Sequence, residues 1–441
     1  MKRSITVREF ARLTTAQVES SLDQATLTNS AFDWLCGEHA RLRSSGADLI
    51  QLSDRRSLRL DNYVGVIESP CGTQIEVLPK TLDTAEDVPR ARRQLRQMLA
   101  RALDIPSREL TPADIDTFDG PLTEWVATRF LQGLDRLIKR GIRFEYQRVE
   151  EEQRFQRGRL DIVRQLRQPP DRRHLFQIQH DVFEPDRPEN RLLRSALEMV
   201  RTFAQSPANW RLAHELASYL APVPLSTSIS QDFRCWRTGR LMAHYGPIKP
   251  WCSLILNEQT PLSMIGRWRG PSLLFPMEKL FERYVAGCLR NSLLPDAQLT
   301  CTARDEWLCK HREADWFRLE PDLLILSGSK RWVLDAKWKR LDAALGNADD
   351  KYRLSQGDLY QMFAYGQKYL RGSGDLILVY PRTSTLSGAL QPFHFSETLR
   401  LWVVPFDLDR GVLAEQVGDI PLRHHDNRDC DPEGGSWRSV A

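Results

Sequence analysis

The sequence predicts a mixed α+β or α/β protein, in which an N-terminal region of strands and helices precedes a C-terminal domain with a central mixed sheet flanked by helices. Segments that alternate polar and apolar residues are interleaved along the chain with segments of helical periodicity. Hydrophobic residues make up 41% of the 441 residues and charged residues 27%, which is typical of a globular protein with a buried core. After residue 272 the patterns follow in the order helix, strand, strand, helix, strand.

Composition and cysteine usage exclude several classes of protein. No run of eighteen apolar residues is present, and the opening MKRSITVREF alternates like a strand, without the apolar core of a signal peptide. The eight cysteines form no C-x-x-C pair, so we expect neither a structural zinc site nor a disulfide framework. We therefore expect a cytoplasmic protein with reduced thiols and no membrane partner.

The charge distribution gives weak evidence for an anionic partner. The net charge is only +4, but arginines are concentrated at positions 154, 157, 159, 164, 167, 172 and 173. This arginine-rich stretch is as consistent with a solvated surface as with contacts to phosphates.

The N-terminal region begins with strand-like segments and continues with amphipathic helices. Residues 57–80 are typical of two strands joined by a turn at the Pro-Cys-Gly-Thr sequence of residues 70–73. Apolar residues at helical spacing predict helices at 86–104, 121–140, 189–204 and 208–219. The prolines and acidic residues of 184–191 break the chain before the third of these helices.

A domain boundary is predicted where residues 260–272 interrupt the pattern. We therefore expect an N-terminal region at residues 1–262 and a C-terminal domain at 263–421. A polar tail at 422–441 is expected to be disordered. A further division of the first region into lobes 1–115 and 116–262 stays open.

The C-terminal domain contains a predicted β-hairpin at residues 319–339, LEPDLLILSGSKRWVLDAKWK. Gly328 and Ser329 suit a two-residue turn. With that loop, residues on opposite strands pair when their numbers sum to 657, and Asp322 and Asp335 do so. The two carboxylates would therefore face each other, with Cβ atoms about 5 Å apart.

Lys337 shares a face with Asp335, because side chains two residues apart on a strand point the same way. The other face carries Trp332, Leu334, Ala336 and Trp338, so we expect that face to be buried and the charged trio to lie at a surface or cleft. Two carboxylates and a lysine are what metal-assisted phosphodiester cleavage requires. The carboxylates bind Mg²⁺, or Mn²⁺ in its place, and the lysine orients the attacking water or offsets developing charge. The alternative is an exposed hairpin with ordinary surface charges.

Two flanking helices carry further candidate residues. Residues 272–290 form an amphipathic helix on which Glu282 is placed to reach the metal cleft, although a plain solvated glutamate is equally consistent with the sequence. Residues 355–370 form a second helix on which Gln361 and Tyr365 lie one turn apart. In a functional role they would contact DNA phosphate or support the metal site. In the alternative, Gln361 is an ordinary surface residue and Tyr365 a core residue. A buried strand at 374–381 follows.

These residues resemble the PD-(D/E)xK nuclease superfamily, with Pro321-Asp322 as the first half of the motif and Asp335-Ala336-Lys337 as the second. The glutamine and tyrosine of the following helix resemble the pattern of RecB-like members. Over residues 57–405 the chain resembles the McrC family more closely, in GVIESPCGTQIEVLPK, FEPDRPENRLLRSAL, MEKLFERYV, LEPDLLIL, VLDAKWK and DLYQMFAYG.

The resemblance implies an endonuclease subunit that cuts modified, methylcytosine-containing double-stranded DNA together with a GTP-hydrolysing AAA+ ring of the McrB type. It implies that the N-terminal region docks on the ring and stimulates its GTPase, and that Asp322, Asp335 and Lys337 are catalytic, with Glu282 as an addition to this trio. The sequence contains no G-x-x-x-x-G-K-[ST] phosphate loop, so nucleotide hydrolysis by that device would belong to the partner. Two alternatives stay open: a stand-alone RecB-like repair nuclease, and a non-catalytic activator of an AAA+ ring.

Overall fold

The computed structural model describes residues 3–43, 50–54, 56–81, 88–105, 118, 120–256, 273–347 and 349–423. The chain forms two compact units, which we call the N-terminal unit (residues 1–96 and 103–276) and the C-terminal unit (97–102 and 277–441). The boundary expected at 262/263 and nearly all of the expected tail lie outside the described residues. Within the described part of the chain, no helix is both long and apolar enough to cross a membrane.

Among its described residues, the N-terminal unit contains three small sheets. Their strands are β1 (Arg3–Arg8), β2 (Arg12–Thr14), β3 (Gln24–Thr26), β4 (Ile50–Asp54), β5 (Ser57–Leu60), β6 (Tyr63–Glu68), β7 (Thr73–Leu78), β8 (Glu145–Gln153), β9 (Arg159–Leu160), β10 (Phe176–Glu184) and β11 (Leu273–Pro276). The strand orders are β1-β7-β6-β11, β3-β2-β5-β4 and β8-β10-β9. The first two sheets share one core, to which Val7, Leu13, Leu58 and Ile75 contribute.

Residues 57–80 form three strands where the sequence predicted two. The backbone turns at Asp61, whose side chain accepts a hydrogen bond from the Asn62 amide at 2.9 Å while its carbonyl accepts one from the Tyr63 amide at 2.8 Å. An aspartate that bonds the backbone just ahead of it favours a turn over a continuous strand. This turn sends β5 and β6 into different sheets.

The four helices predicted in this unit lie close to their predicted positions, and the described residues contain further helices that the sequence did not predict. The helices are α1 (Asn29–Arg43), α2 (Val88–Ala102, which ends in the C-terminal unit), α3 (Leu122–Arg140), α4 (Ile162–Leu166), α5 (Pro188–Phe203), α6 (Pro207–Tyr219), α7 (Ile229–Arg234) and α8 (Lys249–Leu256). The strands β8 and β10 form a nine-pair antiparallel ribbon, from Glu145 opposite Glu184 to Gln153 opposite Phe176. The seven arginines of the arginine-rich stretch are all exposed beside it.

A buried polar centre closes the base of this ribbon. The Asn190 side chain, fully buried at the start of α5, donates to the carbonyls of Arg143 at 2.8 Å and Pro185 at 2.9 Å. Its oxygen accepts from the buried Tyr245 hydroxyl at 2.8 Å. Because Arg143 precedes β8 and Pro185 follows β10, one amide fixes both strands of the ribbon to α5 at its base. The segment 184–191, which the sequence predicted to break the chain before the helix, therefore connects the ribbon to α5.

The C-terminal unit is built around a mixed sheet of order β12-β15-β16-β17-β19-β18, with β20 paired to β19. Its strands are β12 (Ala297–Cys301), β13 (Glu306–His311), β14 (Ala314–Leu319), β15 (Leu323–Ser327), β16 (Lys330–Ala336), β17 (Gly374–Pro381), β18 (Phe393–His394), β19 (Leu399–Asp407) and β20 (Val412–Leu413). The strands β16, β17 and β19 run parallel, whereas β12 and β15 run antiparallel to their neighbours. The separate pair β13–β14 is a hairpin outside this sheet.

Helices cover both faces of the sheet, as the sequence predicted. On one face, Phe281 of α9 (Met277–Ser292) packs against Trp338 with ring centroids 5.2 Å apart. On the other, Met362 and Tyr365 of α10 (Gln356–Tyr369) share a core with Val333. The helix predicted to start at residue 272 begins at Met277, because the preceding residues form β11 and Pro276 favours an extended residue before it.

Candidate active site

The hairpin of β15 and β16 has the predicted register. Ser327 pairs with Lys330 and Leu323 pairs with Leu334, which confirms the two-residue loop at Gly328 and Ser329. Gly328 adopts φ +57°, a conformation that favours glycine. Asp322 directly precedes the first paired residue of β15, so continuing the register places it opposite Asp335.

Asp322 and Lys337 line a cleft, in agreement with the expectation of a surface or cleft, whereas Asp335 itself is buried with an exposed fraction of 1%. Asp322 is half-buried, and the Lys337 side chain is 27% exposed. The cause is α10, which packs over this face with Met362 and Tyr365 and leaves only the ends of the strands accessible. The alternation of residues along β16 cannot predict that Asp335 is buried, because this burial depends on a helix that follows later in the chain.

Two carboxylates and one ammonium group converge at this strand end. Asp322 Oδ2 accepts a hydrogen bond from the Ala336 amide at 2.8 Å, which fixes the first carboxylate against the neighbouring strand. Lys337 Nζ lies 2.6 Å from Asp335 Oδ2. A lysine so close to one of two adjacent carboxylates partly offsets their repulsion.

Burial and mutual repulsion perturb the protonation of this group. Burial, followed by the charges of Asp335 and Glu282, raises the pKa of Asp322 to about 7. Burial also raises the pKa of Asp335, against the opposing effect of Lys337. The two carboxylates are therefore poorly stabilised as anions by protein groups alone, which is the environment that a bound cation would relieve.

A hydrogen-bonded chain links Lys337 to α10. Lys337 Nζ donates to Gln361 Oε1 at 3.2 Å, and Gln361 Nε2 donates to the Tyr365 hydroxyl at 2.7 Å. The Tyr365 hydroxyl donates in turn to the Glu320 carbonyl at 3.0 Å, two residues before Asp322. Burial raises the pKa of Tyr365, so its hydroxyl keeps the proton that this last bond needs. Gln361 and Tyr365 therefore support both halves of the charged group.

A cleft of about 480 Å³ opens beside this group. It is lined by Glu278, Lys279, Glu282, Asp322, Ala336, Lys337, Trp338, Lys339, Ser355 and Asp358. Glu282 thus lies at the cleft as expected, but it also pairs with Lys279, with Nζ 2.8 Å from Oε2.

Asp358 is a cleft carboxylate that the sequence interpretation did not single out. It lies in the first turn of α10, three residues before Gln361, so that both share one face of the helix. Its charge contributes to raising the pKa of Asp335. The i, i+3 spacing to Gln361 is the signal that would have identified it.

The residues present suit a hard divalent cation. Oxygen ligands are what Mg²⁺ prefers, and it is commonly bound by one or two carboxylates together with water and substrate phosphate. Among the described residues, no group of three or more His, Cys, Asp or Glu side chains is arranged to hold a metal. A cation held by Asp322 and Asp335 would need water and a phosphate group as its further ligands.

Comparisons with known proteins give a family and a fold. A family model described as a McrBC 5-methylcytosine restriction system component matches residues 58–381. A chain of the refined half-complex from a tetradecameric assembly of Thermococcus gammatolerans McrB AAA+ hexamers with bound McrC aligns with a TM-score of 0.65 at 18% identity, covering 92% of this chain and 98% of that one. A chain of the Thermococcus gammatolerans McrBC complex aligns with a TM-score of 0.49 at 18% identity, over 65% of this chain and 87% of that one. No curated protein sequence matches the chain.

Proposed function

Because the chain belongs to the family of McrBC 5-methylcytosine restriction system components, we propose that its C-terminal unit is a metal-dependent DNA endonuclease of the PD-(D/E)xK type. The observation that supports this most strongly is the convergence of Asp322, Asp335 and Lys337 at one strand end beside an open cleft. Buried carboxylates that repel each other, in a cleft, are typical of a functional site.

Each residue has a distinct role in this proposal. Asp322 and Asp335 would hold Mg²⁺, with Mn²⁺ as a substitute, and the bound ion would supply an acidified water and offset charge on the phosphate. The Ala336 amide orients the Asp322 carboxylate toward this task. Lys337 orients the attacking water or stabilises negative charge developing on the phosphate oxygens. Glu282 and Asp358 line the cleft and add negative potential that attracts the cation.

Gln361 and Tyr365 act as positioning residues. Their chain of hydrogen bonds restricts the Lys337 side chain and the backbone that leads into Asp322. A catalytic group needs to be held within a fraction of an ångström of its working position, because small misplacements reduce rates steeply.

The proposed partner is an AAA+ ring of the McrB type that hydrolyses GTP. The similar assembly from Thermococcus gammatolerans contains McrB AAA+ hexamers with bound McrC, and this chain carries no phosphate loop of its own. We propose that the N-terminal unit docks on that ring and stimulates its GTPase, that the C-terminal unit cuts modified double-stranded DNA, and that the complex works in the cytoplasm.

The test is cleavage of methylcytosine-containing duplex DNA by the full chain with its ring partner, GTP and Mg²⁺. Asp335→Asn is expected to reduce cutting at least about 10³-fold, about 4 kcal/mol, while ring binding and GTPase stimulation persist. The matched control is Asp349→Asn, a carboxylate outside the cleft.

Three other results would contradict the proposal in different ways. Cleavage by Asp335→Asn at the wild-type rate would remove the assigned centre. Efficient cutting by the isolated chain without nucleotide would favour a stand-alone nuclease. Stimulation of the ring's GTPase without any cleavage by the wild-type chain would favour a non-catalytic activator.

A further inference from the structure

The hairpin of β13 and β14 has no role in the proposed catalytic chemistry, yet it presents large side chains to solvent. Trp316 is 46% exposed, Phe317 66% and Leu308 44%. Exposed aromatic residues on a two-stranded hairpin contribute little to a core, and an isolated hairpin is only marginally stable. Their exposure indicates a surface that binds something.

The register sorts the side chains of this hairpin onto two different faces. Trp307 pairs with Arg318, and Cys309 pairs with Trp316, so these four residues share one face, which we call the aromatic-basic face. His311, whose ring lies 5.3 Å from that of Trp316, extends the same face. The hairpin's strand carboxylates, Glu306 and Asp315, belong to the opposite face by the same alternation, together with Lys310 and Leu308.

The aromatic-basic face combines the two features that bind nucleic-acid strands. The Arg318 guanidinium lies over the Trp307 ring, 4.4 Å from its centroid, which holds the cation beside an aromatic surface. Trp316 stands one pair further along the hairpin, with its ring exposed. Aromatic side chains provide stacking surfaces for bases, and arginines bind the backbone phosphates.

The base of the hairpin is attached to the helix that supports the candidate active site. The Tyr369 hydroxyl of α10 lies 2.9 Å from the Leu319 carbonyl and 3.2 Å from the Ala303 carbonyl. From Leu319 the chain passes through Glu320 and Pro321 directly to Asp322. A six-residue strand is about 20 Å long, so the hairpin is long enough to contact several nucleotides of one strand.

We propose that the aromatic-basic face binds the substrate DNA strand beside the scissile phosphate, with Trp316 against a base or deoxyribose and Arg318 on a backbone phosphate. This inference rests on the proposed endonuclease function and assigns the DNA-contacting element of the same site. The occupant is DNA because the cationic, aromatic face lies on the segment that leads into the candidate metal ligand, and the two carboxylates of the strands, Glu306 and Asp315, belong to the opposite face.

Binding of a fluorescein-labelled 30-base-pair duplex to the full-length chain, in Ca²⁺ to prevent cutting, tests the proposal by anisotropy. Trp316→Ala is expected to raise Kd at least about fivefold, the lower end for loss of one stacked base. Arg318→Ala is expected to weaken binding and to reduce the slope of log Kd against log salt by about 1, as loss of one phosphate contact requires. Circular dichroism establishes that each variant is folded.

The matched controls lie on the opposite face of the same hairpin. Lys310→Ala removes the same charge as Arg318→Ala, and Leu308→Ala removes an exposed apolar side chain, so both are expected to leave Kd within about twofold and the salt slope unchanged. Cys309 gives a second measurement on the unmodified chain. Bound DNA should slow its alkylation by a maleimide relative to Cys235, an exposed thiol in the N-terminal unit.

The possible failures are distinguishable. Unchanged DNA affinity in Trp316→Ala and Arg318→Ala, with cleavage by the wild-type complex intact, would overturn this inference alone. Equal losses in Lys310→Ala would show a general effect of charge and overturn it as well. A change from dimer to monomer in Trp316→Ala, at unchanged DNA affinity, would assign the face to a second copy of the chain. Failure of the wild-type chain alone to bind the duplex would also overturn only this inference, whereas failure of the wild-type complex with its ring partner and GTP to cut DNA would overturn the proposed function itself.

Discussion

Asp322→Asn is expected to stabilise the metal-free protein at alkaline pH. The structure places this carboxyl in a half-buried position beside Asp335, and its pKa is raised from 3.8 to about 7, chiefly by burial. A folded-state pKa above the unfolded value means that the stabilising contribution of the protonated form is fully present below about pH 4 and is lost as the pH rises through 7. Asparagine keeps an oxygen for the Ala336 amide and carries no charge.

The magnitude follows from the change in pKa. A rise from 3.8 to about 7 corresponds to about 4 kcal/mol at 1.36 kcal/mol per pKa unit. Because the side chain is only half-buried, we expect a gain of about 2–4 kcal/mol at pH 8.5 in EDTA, or a rise in Tm of roughly 5–10 °C. Differential scanning calorimetry of wild type, Asp322→Asn and Asp349→Asn at pH 8.5 and pH 4.5 measures this. The advantage of Asp322→Asn should largely disappear at pH 4.5.

A variant that melts at or below the wild-type temperature at pH 8.5 would refute the reasoning, because it would show that the ionised carboxylate is not destabilising in the folded protein. A gain of the same size at both pH values would refute it as well, since a pH-independent effect would not arise from ionisation.

Three further predictions concern the metal, the positioning residues and the ribbon. Mg²⁺ or Mn²⁺ at pH 8.5 is expected to raise the Tm of the wild-type chain and to leave that of Asp322→Asn nearly unchanged in calorimetry. Tyr365→Phe removes the bond to the Glu320 carbonyl, so kcat for cleavage should fall about tenfold at an unchanged KM for DNA; equal kcat values would contradict a positioning role. Asn190→Ala removes a buried side chain that donates to two carbonyls and should cost about 2–4 kcal/mol in urea unfolding, whereas a loss below about 0.5 kcal/mol would show that Asn190 does not hold the ribbon.

The parts of the site that depend on one hairpin could be derived from the sequence. The Gly328-Ser329 turn determines the register of β15 and β16, and that register alone places Asp322 opposite Asp335. The helices that were predicted also lie close to their predicted bounds, since the apolar spacing that marks them is the same spacing that packs them against the core.

The remaining features depend on contacts between distant parts of the chain. The burial of Asp335 is caused by α10, which begins more than twenty residues later, and local alternation contains no information about that cover. The strands β13 and β14 were not predicted, because their side chains are largely exposed and show no alternation between a core and a solvent face. The sequence also did not predict that Asn190 holds the ribbon, since the residues that accept its hydrogen bonds precede β8 and follow β10.

The central claim is that Asp322 and Asp335 hold one divalent cation together, and metal-directed cleavage of the protein tests it directly. Fe²⁺ in place of Mg²⁺, with ascorbate and peroxide, releases hydroxyl radicals where the ion binds, and mass spectrometry locates the cut peptide bonds. Cuts are expected close to residues 322 and 335 in the wild-type chain, suppressed by excess Mg²⁺ and missing in a folded Asp335→Asn variant. Cuts at those positions that persist in Asp335→Asn, or Mg²⁺-sensitive cuts confined to other segments, would contradict the account.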